Sequence, residues 1–225
     1  MHGEVAAANN RARGLIRNLE RQRERERREA EAAARRERRE QERAVLEEAR
    51  AEVFDSVRQM SFGQAVEQWR SRTDDLQVES TKAEAAAVRD VLTWLDGVKA
   101  FIGREARNRS YSRARAQLRG DVVDADEAGV SIELAGGVGS FQRTWQQVGA
   151  RIFTDMASFY LGATSISDVE RGRMAAGLAL FFHVNDAERP AEGAARNAVQ
   201  WNAEVEPALR LAVPGLLPET ESAGD

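Results

Sequence analysis

The chain has no cysteine. That excludes disulfide staples, thiolate metal sites and cysteine nucleophiles. It has only two histidines, His2 and His183, and no Glu-x-x-His pair, so a transition-metal centre would have to rest on carboxylates. No stretch reaches the ~18 apolar residues that a membrane-spanning helix requires. The longest apolar-looking run, Met174 to Val184, is broken by Gly177 and His183. The first residues, MHGEVAAANNRARG, lack the apolar core of a signal peptide, so the expected location is cytoplasmic. Lysine is scarce too: 31 arginines stand against Lys82 and Lys99, a skew that, with abundant Ala, Gly and Val, reads as the mark of a GC-rich genome. A net charge of −4 argues against a chain that binds polyanions along its whole surface.

One absence divides the molecule. From Glu20 to Arg43 there is no Leu, Ile, Val, Phe, Met or aromatic residue, only ten Arg, eight Glu, four Ala and two Gln. All four types favour helix, and no Gly or Pro interrupts them. A helix polar all round has no face to bury. Glu24 with Arg28 and Glu31 with Arg35 stand in the favourable (i, i+4) order; each such pair contributes only ~0.2–0.5 kcal/mol. The spacing predicts a continuous helix from about Arg11 to Val57, roughly 70 Å long. Residues 1–43 are read as a charged, solvent-exposed helical arm.

Packing begins near Ala44. Leu46, Ala49, Val53, Val57 and Met60 recur at helical steps. Ser61 is placed as the N-cap of a second helix carrying Phe62, Val66 and Trp69, and Ser71 to Ser80 is read as the following loop. A third helix, Thr81 to about Arg107, holds Val88, Val91, Leu92, Leu95, Val98 and Ile102, with Trp94 and Phe101 widening the stripe. Together these predict a helical hairpin. The period then switches to two in Leu118–Ala125, Val130–Ala135 and Val138–Trp145, separated by the turns 126–129 and Gly136-Gly137: a three-stranded antiparallel meander. Helices resume at Arg151–Leu161, closed by Gly162 as C-cap. Ser165 or Ser167 caps the next, and Pro190 suits the first turn of another. The expected fold is α+β: the arm, then a helical body over 44–213 with the meander inserted at about 118–145, then a disordered tail, 214–225.

Few residues are placed to carry chemistry. The cluster Asp121, Asp124, Asp126 and Glu127 offers oxygen ligands for a cation, but Ala135 stands where a calcium loop needs its bidentate Glu, and a solvated hairpin turn is the better reading. Gly136-Gly137-Val138-Gly139-Ser140 has strands on both sides and no following Lys, so it is a turn and not a phosphate loop. His183, beside Phe181 and Phe182, reads as a packed or rim residue. The Asn108-Arg109-Ser110 acceptor has meaning only in an exported protein. No catalytic, cofactor-binding or metal-binding residue is assigned, and no cofactor is expected. Basic density peaks from Arg11 to Arg28, where Arg11, Arg13, Arg17, Arg21, Arg23, Arg25, Arg27 and Arg28 face only three Glu. These eight form the candidate electrostatic surface for nucleic acid or an anionic membrane. Candidate interface anchors among the aromatics are Trp69, Trp94, Trp145 and Trp201, with core packing the favoured reading for each.

The order of parts after residue 44, with Gly120, Gly129, Val130, Ile132, Gly136, Gly137, Trp145, Gly177, Leu178 and Phe181, resembles the regulatory regions that follow the catalytic domain in some bacterial serine/threonine protein kinases. The resemblance covers about residues 60 to 185. No glycine-rich ATP loop, strand lysine, His-Arg-Asp or Asp-Phe-Gly is present. It therefore implies docking or regulation without phosphoryl transfer. Ile166 to Trp201 also resembles one tetratricopeptide-like helix pair. The expected function is a non-enzymatic scaffold, adaptor or regulatory module that binds protein partners, a second copy of itself included. The alternative is nucleic-acid or anionic-surface binding through the arm. The charged run has no a/d seam with which to form a coiled coil alone, whereas the Leu46–Met60 stripe could pair with its own copy or fold back on the body.

Overall fold

The computed structural model describes residues 2–134, 136–163 and 166–218, with side chains described from Leu19 onward except that of Ala163. It is mostly helical, with one small antiparallel sheet. The chain divides into two compact units, Met1–Ala44 and Val45–Asp225. Helix α1, His2–Arg58, contributes residues to both.

In the first unit every residue from 19 to 41 is exposed. The helix is held there by backbone propensity and weak (i, i+4) contacts. Arg28 donates to Glu24 at 2.6 Å, Arg27 lies 3.5 Å from Glu31, and Gln22 donates to Glu26 at 3.0 Å.

In the second unit, α1 turns one stripe inward: Leu46, Ala49, Val53 and Val57 are all buried. Met60 ends that packing in the left-handed region, φ 56°. Ser61 sits at the N-cap of α2, Phe62–Thr73, but its side chain makes no capping bond. Helix α2 runs through Thr73 and α3, Glu79–Asn108, starts early, so the expected loop 71–80 shrinks to a few residues. Trp69 is fully buried and its Nε1 donates to the Ala85 carbonyl at 2.8 Å, pinning α2 to α3.

Helix α3 is the spine. Val88, Val91, Leu92, Leu95, Val98, Phe101 and Ile102 are all buried, more than one face of a surface helix would hide. Two glycines allow backbones to close on it. A Cβ at Gly103 would fall 2.0 Å from the Ala125 carbonyl oxygen, and one at Gly177 would fall 2.5 Å from the Leu95 nitrogen. After α3 a short helix α4, Arg115–Leu118, leads into the sheet.

The sheet has the order β1-β2-β3, with β1 Gly120–Ala125, β2 Gly129–Leu134 and β3 Ser140–Thr144, every neighbour antiparallel. This is the expected meander. Val122 pairs with Ile132, and Ile132 with Phe141, which sets the apolar face; a bulge at Val123 shifts the register. Tyr111 adds a bridge to Val122 through two backbone bonds of 2.9 and 3.0 Å. Thr144 and Gln147 form a capping box on helix α5, Trp145–Val148.

Helix α6 spans Ala150–Ala163, so Gly162 lies inside it and does not serve as its C-cap. Ser167 caps α7, Asp168–Val184, by accepting from the Glu170 N–H at 3.2 Å; Ser165 lies outside the described residues. Helix α8, Glu188–Trp201, a 3-10 turn at Ala203–Val205 and α9, Glu206–Ala212, complete the body. The expected tail is partly packed: Leu216 and Leu217 are buried, and Arg210 donates to the Pro218 carbonyl at 3.0 Å. The rest of that tail, 219–225, lies outside the described residues.

At the centre stands an aromatic cluster. The Phe153 ring lies 5.5 Å from Phe62, 5.5 Å from Trp145 and 5.2 Å from Phe181. Trp69 and Trp145 are thus core residues, the reading favoured for them over interface anchors; Trp94 and Trp201 are half-buried. Lys99 is buried against this cluster, 4.8 Å from the Phe62 ring centre and 5.6 Å from that of Trp145. Its Nζ donates to the Met60 carbonyl at 2.5 Å and faces the Glu127 carbonyl at 3.4 Å. One of only two lysines therefore ties the α1–α2 corner to the β1–β2 turn. Burial lowers its pKa, opposed by Asp96, Glu127 and Asp126.

Candidate groove along helices α6, α7 and α8

The sequence-derived sites fare unevenly. The acidic hairpin is spent on local bonds. Asp121 takes the Arg115 Nε at 2.7 Å, and that guanidinium holds its carboxyl below the usual range. Asp124 lies 3.3 Å from Arg107, and Asp126 accepts the Ala128 and Gly129 N–H groups at 2.8 and 3.0 Å, which shapes the turn. Among the described residues no group of three or more metal-ligating side chains is close enough to hold an ion. His183 is exposed, its ring edge-on to Phe54 at 6.5 Å. The Gly136-Gly137 stretch turns β2 into β3, with both glycines at positive φ. In the arm, Arg21, Arg23, Arg25, Arg27 and Arg28 are exposed, while the side chains of Arg11, Arg13 and Arg17 lie outside the described ones.

A groove that the sequence did not announce runs along α6. The inner face of this helix, Phe153, Met156, Ala157 and Tyr160, is buried. Its other face, Arg151, Thr154, Asp155, Ser158, Leu161 and Gly162, follows three- and four-residue steps and lines the groove. The opposite wall is an equally regular strip of α8: Pro190, Gly193, Ala194, Asn197 and Trp201. Ala175, Leu178 and Phe182 of α7 lie between them. Ser158 and Phe182 belong to both of its parts, a section of about 410 Å³ toward α8 and one of about 650 Å³ toward the start of α6.

The two parts differ in chemistry. The α8 part is apolar, with half-buried Trp201 at its margin under the Arg171 guanidinium, 5.5 Å from the ring centre. The other part carries Arg113, Arg151, Gln117, Thr154 and Asp155. Asp155 is engaged by the Tyr111 hydroxyl, whose pKa is raised first by burial and then by that bond. Arg113 and Arg109 each lie 4.7 Å from the Phe159 ring centre, so one ring holds two cations. Among the described residues Arg109, Arg113 and Arg151 make no ion pair, whereas Arg104, Arg107 and Arg115 of the same stretch do.

The missed signal was present. Arg104 to Arg119 holds six arginines against one glutamate. The polar strip of α6 passes as an ordinary solvated face, and Gly193-Ala194 contributes nothing to a periodicity count. No helix among the described residues is long and apolar enough to cross a membrane. No protein-family model, curated protein or solved structure matches the chain.

Proposed function

We propose that this protein is a non-enzymatic adaptor whose body binds a segment of another protein in the α6–α7–α8 groove. A docking or regulatory role of this kind is what the likeness to kinase accessory regions implies. The observation that carries the reading is the groove's construction: two regular helical strips as walls and apolar α7 side chains between them, a form suited to an inserted helix. Interfaces of this type draw their affinity from a few aromatic and arginine anchors, here Trp201, Arg113 and Arg151. The test is capture of partners by the full chain after nuclease and high-salt washing, beside Gly193→Leu, which fills the groove. Partners held by the wild type and lost from Gly193→Leu are expected. Partners held equally by both would refute the groove as the docking site.

A second reading assigns binding of nucleic acid or an anionic surface to the arm. Its support is the exposure of Arg21, Arg23 and Arg25, which make no ion pair among the described residues. Against it, Arg27 and Arg28 already face Glu31 and Glu24. Binding that falls steeply with salt and disappears on deleting residues 1–43 is the outcome it requires.

A further inference from the structure

We infer that the groove's partner is an amphipathic helix with an apolar face and carboxylates at one end, the apolar face lying between α6 and α8 and the acidic end meeting Arg113 and Arg151. The inference rests on the proposed docking function and names its chemistry. Three observations support it.

The first is the gradient along α6. Within one helical strip the lining passes from Arg151, Thr154 and Asp155 through Ser158 to Leu161 and Gly162. A ligand matching it must change from charged to apolar over the same length, as an amphipathic helix with a polar end does. Nucleic acid supplies no apolar row to cover the half-buried Phe182, Ala194 and Trp201.

The second is charge. Two guanidiniums enter the groove and Arg109 stands beside Arg113 on the same ring. The single carboxylate there, Asp155, already accepts the Tyr111 hydroxyl. Like charges gathered without an ion pair among the described residues favour an anionic ligand, and a carboxylate accepts an arginine fork in two parallel bonds.

The third is the glycine in the α8 wall. Gly103, Gly172 and Gly177 are explained inside the chain, since a Cβ on each would lie 2.0 to 2.5 Å from another atom. Gly193 is in mid-helix, where glycine costs stability relative to alanine. Yet among the described residues no atom beyond its own helical turn lies within 4 Å of where its Cβ would be. Gly162, on the opposite wall, is equally open. Gly97 of α3 shares this property but lies outside the groove. A bare backbone on both walls leaves room for a third helix to approach closely.

The experiment is a display selection of 14-residue helical peptides on the full chain, with affinities of the recovered peptides measured on variants. Expected are peptides with apolar residues at i, i+3, i+4 and i+7 and Asp or Glu gathered at one end. Arg113→Glu with Arg151→Glu should weaken them about tenfold or more and shift the selection toward Lys and Arg. Gly193→Leu should abolish binding while circular dichroism stays that of the wild type. Groove-dependent peptides with no acidic preference, unchanged by the arginine reversals, would overturn this inference and leave the docking function standing. Peptides indifferent to Gly193→Leu, or no enriched peptide at all, would overturn both. An oligonucleotide bound by the wild type and lost on arginine reversal would replace the peptide with nucleic acid.

Discussion

The two units of this protein use the same residue type in opposite ways. In the arm, arginine sits on a helix with nothing to bury, and its contacts are exposed (i, i+4) pairs such as Arg28 with Glu24. In the body, arginines join elements distant in sequence. Arg50 reaches Glu84 at 2.8 Å and the Leu211 carbonyl at 3.3 Å, Arg104 reaches Glu170 at 3.0 Å, and Arg58 donates to the Val184 carbonyl at 3.1 Å. A run of helix-forming residues is sufficient for secondary structure, but fixing one element against another takes buried apolar side chains, to which these longer-range arginine contacts are added. Stability should therefore respond to substitution very differently in the two units.

The largest effect is expected at the aromatic centre. Phe153 is fully buried and touches the rings of Phe62, Trp145 and Phe181. Phe153→Ala should cost about 3–5 kcal/mol, from lost transfer energy plus the cavity left behind. Denaturant unfolding followed by tryptophan emission measures it, since Trp145 is a neighbour. A loss below about 1 kcal/mol would mean that the cluster is loosely packed.

Glycine substitutions come next and separate packing from docking within the body. Gly177→Ala drives a methyl to 2.5 Å from the Leu95 backbone, so α7 must move off α3. A loss of about 1–3 kcal/mol is expected for such overpacking. Gly193→Ala meets no atom of another element among the described residues and should instead stabilise the free protein by about 0.5–1 kcal/mol. Thermal unfolding of the pair gives both signs at once. Two destabilised variants would remove the contrast and with it the argument from Gly193.

A smaller change follows from Tyr160. Its ring is buried, its hydroxyl donates to the Arg109 carbonyl at 2.8 Å, and burial pushes its pKa from 10.0 up to about 12. As pH rises past 10 the unfolded chain loses this proton while the folded chain keeps it. The folded state then binds more protons, and stability falls with pH. The contribution is fully present below pH 10 and is lost progressively toward pH 12. Tyr160→Phe should remove that part of the alkaline decline, visible as a wild-type-minus-variant difference that shrinks between pH 10 and 12. A difference independent of pH would place the hydroxyl in water.

Much of this fold could be read from periodicity. The stripe from Leu46 to Val57, the α3 core positions and the meander are strong patterns, because each element repeats its apolar residues at the spacing its own geometry sets. What failed to show were local details decided by neighbours. Gly162 resembles a helix stop, yet α6 continues through it. Ser61 has the right type for a cap but no bond. The proline-containing tail hides Leu216 and Leu217 on the body. The groove was illegible for a deeper reason. Its walls are the strips that α6 and α8 turn away from the core, and sequence gives each the appearance of solvated surface. Only the packing of α7 between them makes one site of Arg151, Ser158, Gly193 and Trp201.

The smallest expected effect lies in the arm. Glu24→Gln removes the charge from the pair with Arg28, 2.6 Å apart with both side chains more than half exposed. Such a pair contributes about 0.2–0.5 kcal/mol at low salt, and less once the ions are screened. The helical signal of a peptide spanning residues 19–44 should fall slightly in the variant, and the difference should vanish in about 1 M salt, where the screening length is about 3 Å. The same substitution should leave the unfolding midpoint of the body unchanged. A larger or salt-independent loss would mean that Glu24 serves in something other than an exposed pair, and the arm could no longer be treated as a helix held by propensity and charge spacing alone.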